Sequence, residues 1–257
     1  MTRLGIVGGA GRMGQMMAHS LAAQADFEVV ALIDPLEPQQ GDGAAWCSSI
    51  EELAGDEVDV IVDFSVPDVT RRVLAWCLEH GVALVAGTSG LTIDEVMMWA
   101  PRVDGAGGHV LYASNFSLGA VLAQRFSAQA AAYFERVEII ELHHDRKVDS
   151  PSATSLATAK MIGDARRVAG RAAQIDPTKL ESLAHARGAE GPEGVRIHSV
   201  RLPGLVAHQE VIFAGPGEGL TIRHDSYDRV SFVAGVALAI RAMPSRRGLT
   251  VGLLELI

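Results

Sequence analysis

The segment Glu141-Leu142-His143-His144-Asp145-Arg146-Lys147-Val148-Asp149-Ser150-Pro151-Ser152-Ala153-Thr154-Ser155 gathers two imidazoles, an ammonium and a helix start directly after an apolar run. An imidazole titrates near neutral pH, so a histidine close to a cation is suited to giving or taking a proton. The leading N–H groups of a helix lack intrahelical acceptors and bind anions such as carboxylates. The chemistry predicted is proton transfer beside a bound acid. His143 and His144 are adjacent, so in extended chain they point to opposite faces and only one faces a given cleft. The other positions a ligand or supports the fold. Lys147, Ser152, Ala153 and Thr154 follow at short range, and a cluster of titratable groups of this kind marks a candidate site.

A second candidate lies near the amino terminus. Gly9-Ala10-Gly11-Arg12-Met13-Gly14 matches the G-x-G-x-x-G pattern, with Gly8 giving an overlapping glycine turn, and Asp34 stands 20 residues after Gly14. The pattern alone is weak. Its setting strengthens it, because an apolar strand precedes the turn, a helix follows, and Asp34 ends the next strand. The glycines would let backbone approach a pyrophosphate, and Asp34 would accept hydrogen bonds from the adenosine ribose. No Lys or Arg lies between Arg12 and Arg71. The loop after the second strand therefore lacks the usual partner for a 2′-phosphate, so NADH is the expected cofactor, with NADPH possible through Arg12. Asp63-Phe64-Ser65 and Gly87-Thr88-Ser89-Gly90 also end apolar runs, where loops of an open α/β sheet line a ligand.

The elements that must position these groups follow from periodicity. Residues 3–8, 28–33, 58–63 and 82–86 read as buried strands, and 13–23 and 67–79 as helices, the second opened by Pro67 and closed by Gly81. Strands alternating with helices predict a Rossmann-type parallel sheet in an α/β domain. After Tyr112 the pattern changes. Helices are expected over 116–134 and 154–168, strands over 137–142, 195–202, 205–213 and 220–224, an irregular excursion over 170–194, and a final helix over 232–242. The expected organisation is a dinucleotide-binding domain formed by residues 1–116 and 228–257. A second, α+β domain with a mostly antiparallel sheet occupies 117–227.

Composition narrows the classes further. Of 257 residues, 48% are apolar, enough to bury a core. The formal net charge of −9 argues against nucleic acid as a partner. No run approaches the roughly 18 apolar residues of a membrane span. The two cysteines, Cys47 and Cys77, form neither a disulfide framework nor a metal pattern, which fits a reduced cytoplasm without a bound metal. Cys47, read as lying in a loop, and Cys77, in a helix, are also misplaced for an acylating aldehyde dehydrogenase, whose nucleophile sits at a strand end.

The chain resembles the 4-hydroxy-tetrahydrodipicolinate reductase (dihydrodipicolinate reductase) family. The resemblance runs through Gly8 to Gly14, Asp63-Phe64-Ser65, Gly87 to Gly90, Asn115-Phe116-Ser117, Glu141 to Thr154, and Arg201-Leu202-Pro203-Gly204 leading to His208. The Glu-x-His-His-x-x-Lys-x-Asp-x-Pro-Ser stretch is specific to that family, and the glycine turn is not. The resemblance implies a homotetramer, with 117–227 as its substrate-binding and oligomerisation domain, that uses NAD(P)H to reduce the cyclic imine derived from 4-hydroxy-tetrahydrodipicolinate, a small dicarboxylate, on the diaminopimelate route to lysine. It implies His143 as the proton-transfer residue, Lys147 as its cationic partner, and His144, Ser152, Ala153 and Thr154 as substrate contacts. The cofactor residues it implies are Gly8, Gly11, Arg12, Met13, Gly14, Asp34, Phe64, Gly87, Thr88, Ser89, Ala113, Ser114, Asn115 and Phe116. Two departures stand out: Ala153 where the family commonly has glycine, and Ser114 where it has proline. Two other readings are an oxidoreductase acting on another small acid and a non-catalytic nucleotide sensor. The second of these predicts decay of the proton-transfer set, yet His143 and Lys147 are both present.

Overall fold

A computed structural model describes residues 1–38 and 43–257 and divides the chain into two compact units, Met1–Leu118 with Arg229–Ile257, and Gly119–Asp228. The first unit begins with β1 (Thr2–Val7), α1 (Arg12–Ala22), β2 (Phe27–Ile33) and β3 (Ala45–Cys47). It continues with β4 (Val60–Asp63), α2 (Pro67–His80), β5 (Ala83–Ala86), α3 (Ile93–Met97), α4 (Ala100–Gly105) and β6 (His109–Tyr112). The second unit holds α5 (Leu118–Ala131, entering from the first), β7 (Arg136–His143), α6 (Ala153–Val168), β8 (Ala189–Glu190), β9 (Arg196–Arg201), β10 (Ala207–Gly215) and β11 (Glu218–Ser226). The chain then returns to the first unit with α7 (Val233–Ala242) and β12 (Gly248–Val251).

The first sheet is parallel, in the order β12-β6-β5-β4-β1-β2-β3. From β1 the chain builds outward through β2 and β3, then crosses back to β4 on the other side. The carboxyl ends of β1 and β4 therefore flank the switch point, where open α/β sheets bind ligands. Strands β4 and β5 are buried throughout, as expected of a parallel sheet covered on both faces. Pro67 occupies the first turn of α2, and Gly81 ends it in the left-handed conformation at φ 67°.

The second sheet runs β11-β10-β7-β9-β8. Its described pairings are antiparallel except β7 with β9, which is parallel, so the sheet is mixed. Along β7, Val137, Ile139 and Glu141 are buried on one face, and Val137 and Ile139 join Val211, Phe213, Ala159 and Ile162 in the core of this unit. A glutamate thus occupies a position that alternation assigns to the core.

Several short elements escape the periodicity: β3, α3, α4, β6 and β12. Each spans between three and six residues, too few to display a period. Cys47 lies at the end of edge strand β3, not in a loop. It is nonetheless buried, and burial pushes its thiol up, as it does the thiol of Cys77 in α2. Neither is poised as a thiolate nucleophile. No helix among the described residues is long and apolar enough to cross a membrane.

Candidate active site

In the first unit the glycine turn leaves β1 at its carboxyl end. Gly8 has φ 81°, and a Cβ there would meet the Phe64 carbonyl oxygen at 2.9 Å. A Cβ on Gly14 would come within 2.0 Å of the Gly8 carbonyl oxygen, so only glycine lets α1 start so close to the turn. Gly11 is the N-cap of α1, and Arg12, exposed, is the helix's first residue. Asp34 is held on both sides of its carboxylate. Oδ2 accepts the Ala10 amide at 3.1 Å, and Oδ1 accepts the Leu36 amide at 3.0 Å. The carboxylate therefore ties the glycine turn to the loop after β2.

A cavity of about 440 Å³ opens here, with Gly8, Gly11, Asp34 and Phe64 in its wall beside apolar Val7, Ile33, Ile50 and Val69. An apolar slot with a carboxylate at its rim and unobstructed backbone suits an adenosine and its ribose. Arg72, from α2, lines the same cavity. Nothing in the sequence of the loop after β2 signals it, because helix packing brings this residue to the cavity from 38 positions beyond Asp34. Arg12 lines neither this cavity nor the next. Residues 39–42 of the loop after β2 lie outside the described residues.

A second cavity, about 230 Å³, is lined by Met13, Phe64, Ser65, Gly87, Thr88, Ser89, Ser114, Asn115, Phe116 and Phe232. A Cβ on Gly87 would stand 2.3 Å from the Phe64 ring and 2.9 Å from that of Phe116, so glycine keeps this pocket open. The two rings meet edge to face at 5.8 Å. Ala113 lies behind the pocket, buried, its amide donating to the Ala86 carbonyl at 3.0 Å. Below the loops, the Thr70 hydroxyl donates to that of Thr88 at 2.7 Å, and Asp63 Oδ1 accepts the Ser65 amide at 2.8 Å. Burial pushes the Asp63 carboxyl up. Phe232, just before α7, carried no signal in the sequence.

In the second unit the segment holding His143, His144 and Lys147 starts on β7. Glu141 and His143 are two residues apart on one strand, so their side chains share a face. His143 Nδ1 is hydrogen-bonded to Glu141 Oε2. The Glu141 side chain is 0% exposed and also takes two bonds from Arg201, Nη1 to Oε2 at 2.8 Å and Nη2 to Oε1 at 2.7 Å. Burial by itself would push this carboxyl up, but the bonds from His143, Arg201 and Ser199 outweigh it and hold the group at about 2. After the strand, His144 keeps a buried Nδ1 without a hydrogen-bond partner among the described residues. Lys147 turns back by donating its amide to the His144 carbonyl at 3.1 Å, and its ammonium bonds both Asp149 oxygens at 2.7 and 2.8 Å.

Ser152 is the N-cap of α6, its hydroxyl accepting the Ser155 amide at 3.2 Å. The Ser155 hydroxyl donates to Gln209 on β10 at 2.8 Å, and Gln209 donates to Thr158 at 3.0 Å, which pins the first turn to the sheet. Of the substrate contacts expected here, Ser152 is buried with its hydroxyl spent on the cap, Thr154 is partly buried, and Ala153 is exposed at the first helical position. Ala153 carries no left-handed φ, so its methyl group is accommodated without strain. We expect Ala153→Gly to change substrate KM by less than tenfold and to lower thermal stability, by at most about 1 kcal/mol for a helical glycine. Steady-state kinetics and a melting curve check this, and a large gain in activity would show that the alanine serves a different substrate.

Residues 2–116 match the family "Dihydrodipicolinate reductase, N-terminus" and residues 119–257 match "Dihydrodipicolinate reductase, C-terminus". A 4-hydroxy-tetrahydrodipicolinate reductase of Streptococcus pneumoniae (strain Hungary19A-6) is 46% identical over 258 residues, covering 99% of each chain. The dipicolinate-bound dihydrodipicolinate reductase from Paenisporosarcina sp. TG-14 superposes with a TM-score of 0.89 at 37% identity, covering 100% of both chains. GenD2 from gentamicin A biosynthesis, solved in complex with NAD, superposes with a TM-score of 0.62 at 16% identity, over 95% of this chain and 86% of its own. That last likeness is one of fold alone.

Proposed function

The chain belongs to the dihydrodipicolinate reductase family, and from that premise we propose how its residues divide the work of reduction. It is an oxidoreductase that uses a nicotinamide nucleotide to reduce the cyclic imine derived from 4-hydroxy-tetrahydrodipicolinate to tetrahydrodipicolinate. When bound, the reduced nicotinamide supplies the hydride, which adds to ring C4. The electron pair displaced from the conjugated imine must then be met by a proton. His143 supplies it from Nε2, since Nδ1 is engaged by Glu141. This hydrogen bond is the observation that carries the reading. Lys147 steadies the charge that develops at the ring nitrogen. The start of α6, with His144 before it, receives the carboxylates of the substrate.

The cofactor residues are Gly8, Gly11, Arg12, Met13, Gly14 and Asp34 for the adenosine and pyrophosphate, and Phe64, Gly87 to Ser89 and Ala113 to Phe116 for the nicotinamide half. Cytoplasmic homotetramers are the form in which we expect the enzyme to act, and sedimentation of the purified chain tests the stoichiometry. Activity is tested by following NADH oxidation while the upstream synthase generates the unstable substrate in place.

Asp34 sets the nucleotide preference. A phosphate about 4 Å from its carboxylate meets a repulsion of roughly 1 kcal/mol at a solvated site, close to a fivefold preference for NADH. Arg72 in the same cavity opposes this, so Arg72→Gln should widen the preference. Side-by-side kcat/KM values for NADH and NADPH decide the point. A clear preference for NADPH in the unaltered chain would show that a basic group overrides Asp34.

A further inference from the structure

The geometry points to Glu141 and Arg201 as a positioning pair for the proton-transfer step, with Glu141 fixing the His143 ring through Nδ1 and Arg201 holding Glu141 ionised and in place. The inference rests on the reading of His143 as the proton donor. It adds two residues for which a core-packing role would otherwise be the plain account.

Three observations carry it. First, Glu141 occupies a core-facing position of β7 with no solvent exposure, where an unpaired carboxylate would be costly. Val137 and Ile139 show what that face otherwise takes. Second, the carboxylate is bonded by His143 Nδ1 and by the two-pronged Arg201 guanidinium, with the Ser199 side chain opposite it on β9 adding a further bond. Third, both Nη groups of Arg201 are committed, while its buried Nε has no partner among the described residues. Besides Glu141, Nη1 donates to the Val200 carbonyl at 2.8 Å and Nη2 to the Asp149 carbonyl at 2.8 Å. A guanidinium bound four ways is a brace, with its Nη groups unavailable to a substrate. The Asp149 bond also fastens the loop that carries Lys147 to strand β9.

Parallel pairing of β7 with β9 sets His143 opposite Arg201 and Glu141 opposite Ser199, which explains how residues 60 positions apart meet. The charged groups around the imidazole are Glu141 on its own strand, Arg201 on β9, and His144 and the Lys147–Asp149 pair on the following loop. On the other side, β10 places Ala207 opposite His143. The next residue, His208, is paired through Nδ1 with Asp225 on β11 at 2.7 Å. Glu141 is the group among these that touches the ring.

A carboxylate on Nδ1 keeps the proton on that nitrogen in the neutral ring and favours the imidazolium when Nε2 is loaded. It does both only while its own charge is retained, which is the part Arg201 plays. The two residues therefore have signatures in the same direction. Removing the Glu141 charge disfavours the imidazolium, so the decline of kcat with rising pH should begin at lower pH in Glu141→Gln. Removing the Arg201 charge leaves the buried Glu141 carboxyl free to take up a proton, so in Arg201→Gln the decline should likewise begin at lower pH. Arg201→Lys should return the profile toward that of the unaltered chain.

The experiment measures kcat against pH for these variants, together with NADH affinity and ¹⁵N NMR of the His143 ring. We expect kcat of Glu141→Gln to fall roughly tenfold or more, NADH affinity to be unchanged, and the neutral ring to become a mixture of tautomers. If Glu141→Gln does not fold, Glu141→Asp serves, since the shortened side chain keeps the charge but withdraws it from Nδ1. Unmoved pH profiles with an unchanged tautomer would overturn the inference while leaving His143 as the donor. Full activity in His143→Gln would instead remove the donor itself, so the two failures are distinguishable.

Discussion

Replacing His143 with glutamine is expected to lower kcat by a factor on the order of 10² to 10⁴, the usual contribution of general acid catalysis, while NADH binds as before. In free energy this is roughly 3 to 5 kcal/mol of transition-state stabilisation. Glutamine resembles the ring in size and can still accept or donate a hydrogen bond, but it carries no transferable proton near neutral pH. The residues proposed for the nucleotide belong to the other unit of the chain, so the substitution should leave their cavities intact. Single-turnover oxidation of NADH with substrate generated in place measures the loss, and quenching of nucleotide fluorescence measures binding. Turnover near that of the unaltered enzyme at saturating substrate would require a different acid, either another side chain or a water.

The second large effect is expected in acid. Glu141 is held at about 2 in the folded chain against an ordinary value of 4.5. A carboxyl depressed on folding contributes stability above its unfolded value and loses it as pH falls through the folded one. The whole contribution is about 3 kcal/mol, present above about pH 4.5 and gone below about pH 2. Other paired carboxyls are also held below their ordinary value, among them Asp149 by the Lys147 ammonium and Asp59 by the Arg3 guanidinium. The measurement must therefore compare urea unfolding of the unaltered chain with that of Glu141→Gln. The gap between them should narrow by about 2 kcal/mol between about pH 6 and about pH 3. A constant gap would mean that Glu141 is already protonated at neutral pH, which would remove its pairing with Arg201.

Residues that act within one local element were legible. The glycine turn, Asp34 at the end of β2, the start of α2 at Pro67 and the helix start at Ser152 each follow from rules that span a few residues. The fold class followed too, because strands alternating with helices over the first 86 residues admit few arrangements other than a parallel sheet. The histidine and lysine of the proton-transfer segment announced themselves by type and spacing. Glu141 left a quieter signal, a carboxylate on the apolar face of an alternating strand, where only a partner could make it tolerable.

That partner is what the sequence could not supply. Arg201 is 60 residues away from Glu141 and reaches it only because β7 and β9 pair in parallel with His143 opposite Arg201. Arg72 and Phe232 reach their cavities in the same way, through the packing of α2 and the return of the chain into the first unit. Sequence alone determined the longer local elements and pointed to the side chains whose types could carry chemistry, since backbone propensity and apolar periodicity act over one or two turns. Tertiary structure decided which charges meet, because strand register and helix packing set contacts between positions whose separation along the chain carries no periodic signal.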